Sequence, residues 1–242
     1  MTVSKTRVRH VVLCTSDLDA VERRLTDLLG VAVTQRDDFA EEFGLRNAVL
    51  AVGDTFIEVC EPVVDSAPAA RFLLAQGGDA GYMVCIQVDD LPAAAERAAA
   101  ADVRTVYAFD DRSLNGASAS ARHLHPGDTG GTFFTLEHPQ PPQAWPYAGE
   151  AWHLHRREQV VGGIVGVEIA ARNARRVAER IAGIAGVGVG RDGHVAVDGA
   201  TIRFTESGGE SPDRLTAIDL EATDRERVGE VYVVARTRIQ LV

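Results

Sequence analysis

The chain has 242 residues, which is enough for one large domain or two small ones with substantial cores. Its formal net charge of -10 argues against nucleic-acid and anionic-membrane partners, because both are bound by clustered lysine and arginine. No apolar run approaches the roughly 20 residues of a membrane span, and the polar start of the chain predicts no signal peptide. Three cysteines without metal or redox spacing favour packed thiols, so we expect a cytoplasmic protein.

The first predicted unit has the order β-α-β-β-β and ends near residue 62. Residues 7–14 form its first strand, and the helix that follows ends at Gly30, where a left-handed backbone is favourable for glycine. A short strand comes next. Residues 47–60 then predict a hairpin with the turn-prone pair Gly53-Asp54 at its tip.

A second unit repeats this β-α-β-β-β order after a short bridging helix. Its own helix spans residues 91–101 and is rich in alanine, the strongest helix former. Its four strands are predicted at residues 81–88, 103–109, 117–125 and 131–136.

Prolines and aromatic residues dominate residues 139–149, which argues against a helix or an interior strand there. We therefore predict a connecting segment, residues 141–160, that its aromatic side chains hold on the surface. His153 and His155 lie in this segment, and we interpret them as solvated rather than as ligands.

A sequence repeat follows the connecting segment. Residues 10–33 align without gaps on residues 166–189, and Gly30 in the first stretch matches Gly186 in the second. Repeats on this scale indicate duplicated supersecondary units, so we predict four related units, two per domain, with the last one shortened. The predicted boundaries are residues 1–140 for the first domain, 141–160 for the connecting segment and 161–242 for the second domain.

Three features together resemble the vicinal oxygen chelate superfamily. They are His10 near the start of the first strand, the segment TFIEVCEP at residues 55–62 and the segment HPGDTGGTFFTLEHP at residues 125–139. This superfamily includes glyoxalase I, methylmalonyl-CoA epimerase, extradiol dioxygenases, and fosfomycin- and bleomycin-resistance proteins. The HP-x-D-x-x-G pattern at residues 125–130 is most similar to its epimerase and glyoxalase-like branch. The resemblance implies an α+β fold, in which tandem βαβββ modules form two glyoxalase-like domains with cupped mixed sheets.

The resemblance also implies a divalent metal held by four inward side chains, one from the first and one from the last strand of each module. Because strand residues two apart face the same way, these positions map onto His10, Glu58, Met83 and Thr135. His10 and Glu58 match the superfamily, whereas Met83 replaces a histidine and Thr135 replaces a glutamate. We therefore expect at most a remnant metal site, with His10 and Glu58 as ligands for Zn, Ni, Co, Mn or Fe, and otherwise no cofactor.

The corresponding positions of the second domain depart further from the pattern. They are Gly166, Arg203, Ala217 and Gln240. Arg203 would place a positive charge where a cation should bind, so we expect no metal there and interpret this domain as a scaffold.

The inward strand positions of the first domain are mostly apolar and sulfur-containing. Such a lining suits a small, partly apolar ligand that a few polar groups orient. The predicted ligand-contacting residues are Val12, Phe56, Cys60, Met83, Cys85, His123, Phe133 and Thr135. His123 is also an alternative third metal ligand, because it could reach the rim of the cup.

Two functional hypotheses remain open from the sequence. The first is an isomerase or lyase that transfers a proton on a small carbonyl, acid or thioester substrate, with Glu58 as the base and His10 as its partner. The second is a protein that binds or sequesters a small molecule without chemistry, as resistance proteins of the superfamily do. An extradiol dioxygenase is disfavoured, since its iron needs two histidines and a carboxylate. A homodimer is possible, because the domains could pair within one chain or between two.

Overall fold

The computed structural model describes residues 6–36, 38–208 and 211–242. The elements of the first half are β1 (Arg7–Cys14), α1 (Leu18–Leu29), β2 (Val33–Gln35), α2 (Asp38–Glu41), β3 (Leu45–Val52), β4 (Thr55–Pro62), α3 (Pro68–Gln76), β5 (Ala80–Gln87), α4 (Leu91–Ala100), β6 (Thr105–Leu114), β7 (Ala117–Leu124), α5 (Pro126–Thr129) and β8 (Phe133–Gln140). Those of the second half are β9 (Val161–Ala171), α6 (Ala174–Ala185), β10 (Val195–Val197), β11 (Ala200–Glu206), β12 (Arg214–Ala222), β13 (Val231–Val234) and β14 (Thr237–Leu241). None of the helices in residues 6–36, 38–208 and 211–242 combines the length and the apolar composition of a bilayer-spanning segment.

Helices α1 and α6 begin and end in the same way, as the sequence repeat predicts. The side chain of Asp17 accepts a hydrogen bond from the backbone N–H of Ala20, which satisfies a free donor at the start of α1. Asn173 makes the equivalent bond at the start of α6. Gly30 and Gly186 end the two helices with left-handed φ angles of 66° and 73°, which residues with a Cβ rarely adopt.

The sheet is built outward from β1 in the first half. β1 lies parallel to β4 and antiparallel to β5, and β5 lies parallel to β8, so the strand order is β2-β3-β4-β1-β5-β8-β7-β6. Each β-α-β-β-β module therefore contributes four strands to one curved sheet. The expected α+β fold of tandem βαβββ modules is confirmed.

The second half repeats the arrangement with fewer strands, in the order β10-β11-β9-β12-β14-β13. A single residue pair, Leu215 with Gly81, joins β12 to β5 and so connects the two halves. A Cβ at Gly81 would lie 2.3 Å from the backbone oxygen of Leu215, so only glycine permits this approach. In the shortened last module, one 3-10 turn (Arg225–Arg227) replaces the helix. The division into two domains at residues 1–140 and 161–242 stays a prediction.

Alternation along the strands separates the core from the opposite, concave face. Val11 and Leu13 point into the main core, where α1, α4 and α6 cover the sheet. Residues of the other parity, His10 and Val12, lie outside that core cluster. The concave face of the first half is therefore where His10 meets other functional groups.

Paired charges fill the equivalent face of the second half. Arg203 Nη1 lies 2.5 Å from Asp219 Oδ2, and Arg238 Nη2 lies 3.3 Å from Glu168 Oε2. Gly166 is the residue that matches His10, and a Cβ there would lie 2.7 Å from the Asp219 carboxylate, so a larger residue would have to displace these charged side chains. This arrangement supports the interpretation of the second half as a scaffold.

The connecting segment corrects one prediction. Trp145 is only 1% exposed and Ala148 is fully buried, so residues 145–148 do not lie on the surface. Trp145, Tyr147 and Ala148 pack in one buried cluster with Phe56 and Cys85 of the first half. His153 and His155, further along, are exposed, as predicted.

Candidate functional site

A cavity of about 690 Å³ opens on the concave face of the first half. Strands β1, β4, β5 and β8 supply its floor, and aromatic side chains of neighbouring segments form its walls. The predicted site residues that line it are His10, Glu58, Met83, Cys85, His123 and Phe133. The predicted site residues that lie behind the lining are Val12, Phe56, Cys60 and Thr135.

Residues behind the lining are covered by other side chains. Phe56 lies against Trp145, whose ring stacks on it with 6.0 Å between centroids. Val12 and Cys60 pack in one buried cluster with Tyr82. In this structure other side chains separate these buried residues from the cavity, because strand alternation gives the side-chain direction but not what covers the side chain. Their contact with a ligand stays a prediction.

His10 is buried and contacts the cavity through one edge of its ring. Its Nδ1 accepts a hydrogen bond from the indole N–H of Trp145 at 3.1 Å. Because Nδ1 is an acceptor, the neutral ring carries its proton on Nε2. Nε2 lies 3.2 Å from Glu58 Oε2, but the geometry is not that of a hydrogen bond, and Nε2 has no hydrogen-bond partner among the described residues.

One carboxylate oxygen of Glu58 is held by a hydrogen bond, and the other faces His10. Its Oε1 accepts a 2.8 Å hydrogen bond from Nδ2 of Asn47, which lies on the neighbouring strand β3. Its Oε2 is the oxygen that faces His10 Nε2. The side chain is 16% exposed and lines the cavity, so this oxygen can reach a bound molecule. A fixed carboxylate beside an N–H donor is an arrangement suited to proton transfer.

A second carboxyl group, Glu137 on β8, was not among the predicted site residues. It is 3% exposed and lines the cavity, and its Oε2 accepts a 2.7 Å hydrogen bond from the Tyr147 hydroxyl. Burial raises the pKa of Glu137 to about 7, although the hydrogen bond from Tyr147 opposes the rise. The signal was present, because Glu137 is two residues beyond Thr135 and so has the same strand parity.

His123 lies among aromatic rings at the wall of the cavity. Its ring stacks on Phe43 at 6.4 Å and meets the edges of Tyr107 and Phe133 at 5.3 Å and 5.7 Å. Burial lowers the pKa of His123 to about 4, so the ring is neutral at physiological pH. This environment fits contact with an apolar ligand better than it fits metal binding.

All three cysteine thiols are buried, and the pKa values of two of them, Cys60 and Cys85, are raised. A hydrogen bond with Cys14, followed by burial, raises the pKa of Cys60 well above its usual value. Burial and the nearby carboxyl of Glu137 do the same to Cys85. Thiols in this state are poor nucleophiles and poor metal ligands, as expected for packed cysteines.

The donor set does not fit the divalent metal that the resemblance implies. Within residues 6–36, 38–208 and 211–242, no three or more His, Cys, Asp or Glu side chains are grouped to hold a metal ion. Of the four superfamily positions, Met83 offers a soft thioether and Thr135 a weak hydroxyl donor. His10 turns a protonated nitrogen towards Glu58, whereas a ligand nitrogen must present a lone pair.

Comparison with known proteins agrees with the fold. The glyoxalase-like domain family model matches residues 8–185. Over 131 residues, 54% of this chain, the sequence is 27% identical to mitochondrial methylmalonyl-CoA epimerase of Mus musculus (72% of that protein). It is also 27% identical to ethylmalonyl-CoA/methylmalonyl-CoA epimerase of Cereibacter sphaeroides (96% of that protein).

One solved structure resembles the chain over nearly its whole length. It is a hypothetical protein from Staphylococcus aureus with a TM-score of 0.69, covering 98% of this chain and 100% of that one at 9% sequence identity. That likeness shows the fold of both halves, and the family match covers most of the chain. The chain therefore belongs to the glyoxalase-like domain family, within the vicinal oxygen chelate superfamily.

Proposed function

We propose that this protein is an isomerase or lyase that moves a proton at the carbon next to a carbonyl group, with Glu58 as the base. The observation that carries the proposal is the pair of atoms at the cavity floor. Oε2 of Glu58 and the Nε2–H group of His10 lie 3.2 Å apart, and neither is taken up by a hydrogen bond to the other. The matched relatives are named as epimerases of acyl-CoA thioesters, which favours a thioester substrate.

The spacing of these two groups matches what the reaction requires. A carbonyl oxygen and the acidic carbon beside it are two bonds apart, so a neighbouring donor and base can engage both at once. Glu58 would remove the proton from carbon, and the His10 N–H group would donate a hydrogen bond to the oxygen that gains negative charge. The apolar surroundings strengthen that hydrogen bond, since little water competes for it.

Glu137 supplies a second proton carrier in the same cavity. With a pKa of about 7, it is close to half protonated at neutral pH. Such a group can return a proton to carbon as readily as it accepts one. A second acid in the cavity favours an isomerase over a lyase, because an isomerase must give the proton back.

The lining indicates the kind of substrate. Most of the surface comes from apolar and aromatic side chains, which suits an acyl group with a partly apolar body. Arg71 also lines the cavity and is exposed; its Nη1 donates to the backbone oxygen of Ser66, and the positive charge of its guanidinium group would attract an acidic group at the mouth. We therefore infer a small carboxylated acyl compound, carried as a thioester.

The alternative is a protein that binds such a molecule without chemistry. It is supported by the mismatch with a metal site and by the extensive aromatic wall around His123. Proton exchange separates the two functions. The wild-type protein would be incubated with methylmalonyl-CoA in D2O, and NMR would measure the incorporation of deuterium at the carbon between the two carbonyl groups. Calorimetry would measure binding separately. Catalysed exchange supports the enzyme, whereas saturable binding without exchange would support the binding protein.

A further inference from the structure

Trp145 links the connecting segment to His10, which forms the proposed catalytic pair with Glu58. Its indole N–H donates to Nδ1 of His10, and its ring stacks on Phe56 and meets Tyr147 edge-on. The ring is almost completely buried. A buried polar N–H of this kind needs an acceptor, and His10 is the acceptor that it has.

We propose that Trp145 is a positioning residue that holds His10 in the Nε2–H tautomer, and so makes His10 a hydrogen-bond donor to the substrate instead of a metal ligand. The role as donor to substrate rests on the function proposed above, while the tautomer itself does not.

The hydrogen bond between the Trp145 and His10 rings allows only one position for the proton of the neutral His10 ring. An indole N–H can only donate, so the histidine nitrogen that faces it must carry a lone pair. A neutral imidazole has one ring proton, which then resides on the other nitrogen, Nε2. A histidine that binds a metal through Nε2 usually donates its Nδ1–H to a carboxylate, a carbonyl or water. In this protein Nδ1 of His10 accepts a hydrogen bond from Trp145. This is the opposite direction to the hydrogen bond that usually supports a metal-binding histidine.

The surrounding structure clamps the connecting segment in place. Arg9 is fully buried, and its Nη2 donates to the backbone oxygen of Gln143 at 3.0 Å. Gln87 Nε2 donates to the backbone oxygen of Pro142 at 2.7 Å. Two side chains from β1 and β5 therefore hold the backbone just before Trp145, which limits how far the indole can turn away from His10.

A β-bulge explains how Arg9 and His10 reach the same ring. The pairing of β1 with β5 shifts register between Val8 and His10. As a result Arg9, adjacent to His10 in sequence, also faces Trp145, with its guanidinium carbon 5.6 Å from the ring centroid. The Arg9 guanidinium group lies over the face of the Trp145 indole, whereas His10 accepts a hydrogen bond from the N–H at its edge.

The tautomer can be measured directly by 15N NMR of the histidine ring. In the wild-type protein at pH 7, His10 is expected to show an unprotonated Nδ1 and a protonated Nε2. Trp145→Phe keeps the aromatic packing but removes the donor, so the Nδ1 resonance is expected to move towards the protonated range. Trp152→Phe is the matched control, because Trp152 contacts Phe56 at 5.0 Å and has no hydrogen bond to His10.

Addition of ZnCl2 provides a second readout on the same resonances. Wild-type His10 signals are expected to stay unchanged with equimolar Zn²⁺. A protonated Nδ1 in the wild-type protein, or Zn²⁺ bound by His10 in it, would overturn the proposal even if Trp145→Phe does not fold. Identical His10 spectra in Trp145→Phe and Trp152→Phe would also overturn it. None of these spectra depends on turnover, so failure of the proposed enzyme activity is detected separately.

Discussion

The hydroxyl group of Tyr147 donates a 2.7 Å hydrogen bond to Oε2 of Glu137, a carboxyl group that is buried at the cavity. Burial of Glu137 disfavours its ionised form, and the bond from Tyr147 favours it. The balance leaves a carboxyl group with a pKa of about 7, so its charge changes within the physiological pH range.

Glu137→Gln should make the protein more stable than wild type at pH 8 and leave it nearly unchanged at pH 4.5. The folded-state pKa of Glu137, about 7, lies above the ordinary value of 4.5. Between pH 4.5 and pH 7, the folded protein therefore keeps a proton on Glu137 that the unfolded chain has released. The contribution of Glu137 to stability is fully present below pH 4.5 and is lost as the pH rises through 7. On the usual conversion between pKa and free energy, the gain at pH 8 is about 3 kcal/mol.

Urea unfolding of both proteins at the two pH values measures this difference. The neutral glutamine keeps the size of the side chain and can still accept the hydrogen bond from Tyr147. An equal difference in unfolding free energy at both pH values would contradict a raised pKa for Glu137.

The sequence predicted the fold because its signals are local and repeated. Helix caps such as Asp17 and Asn173, and glycines such as Gly30, act within a few residues of the backbone that they shape. The resemblance to the superfamily, combined with strand alternation, assigned His10 and Glu58 to one face, and the structure brings them together.

The missing parts of the site depend on contacts that no local pattern encodes. Trp145 reaches His10 across 135 residues of sequence, and its segment has no regular periodicity. The bulge at Arg9 breaks the alternation on which the assignment of faces relied. Glu137 was missed for another reason, since the four superfamily positions end at Thr135 and the same parity was not followed one step further.

Tyr147→Phe should raise the pKa of Glu137 above its wild-type value of about 7. The substitution removes a hydrogen bond to the ionised carboxylate and leaves the burial of Glu137 in place. A 13C NMR titration of the Glu137 carboxyl carbon measures the pKa directly. Tyr107→Phe is the control, because the Tyr107 hydroxyl accepts from Arg112 and is not a cause of the Glu137 shift. A Glu137 pKa that is lower in Tyr147→Phe would contradict the role of this bond.

Gly53→Ala should destabilise the protein much more than Gly199→Ala. Both glycines lie at matching hairpin tips with positive φ angles of 59° and 73°, so each substitution costs roughly 1–2 kcal/mol for the backbone alone. A Cβ at Gly53 would also lie 1.6 Å from the backbone oxygen of Gly162, whereas at Gly199 no atom lies within 4 Å. Overpacking of this kind adds about 1–3 kcal/mol.

Thermal or urea unfolding of the two variants tests this difference. Equal losses of unfolding free energy would show that the hairpin tip at Gly53 does not press against the start of β9.

His123→Phe should reduce the loss of stability in acid. The pKa of His123 in the folded protein is about 4, below the ordinary 6.5, because its ring is buried. The unfolded chain therefore takes up a proton first as the pH falls from 6.5 to 4, and stability declines over that range. Unfolding free energies of both proteins at pH 7 and pH 4.5 measure the effect. If the wild-type protein loses no more stability than His123→Phe between pH 7 and pH 4.5, the lowered pKa of His123 is contradicted.

The proposed reaction depends on the carboxylate of Glu58, and a single comparison tests that dependence most directly. The rate of deuterium exchange at the acidic carbon of methylmalonyl-CoA would be measured for wild type, Glu58→Gln and Glu168→Gln. Glu168 is a matched acid on the concave face of the second half, paired with Arg238, so its replacement should leave the rate unchanged. The account predicts that Glu58→Gln lowers the rate about 10²–10⁴-fold, the usual contribution of a general base. Exchange at the wild-type rate in Glu58→Gln would contradict it.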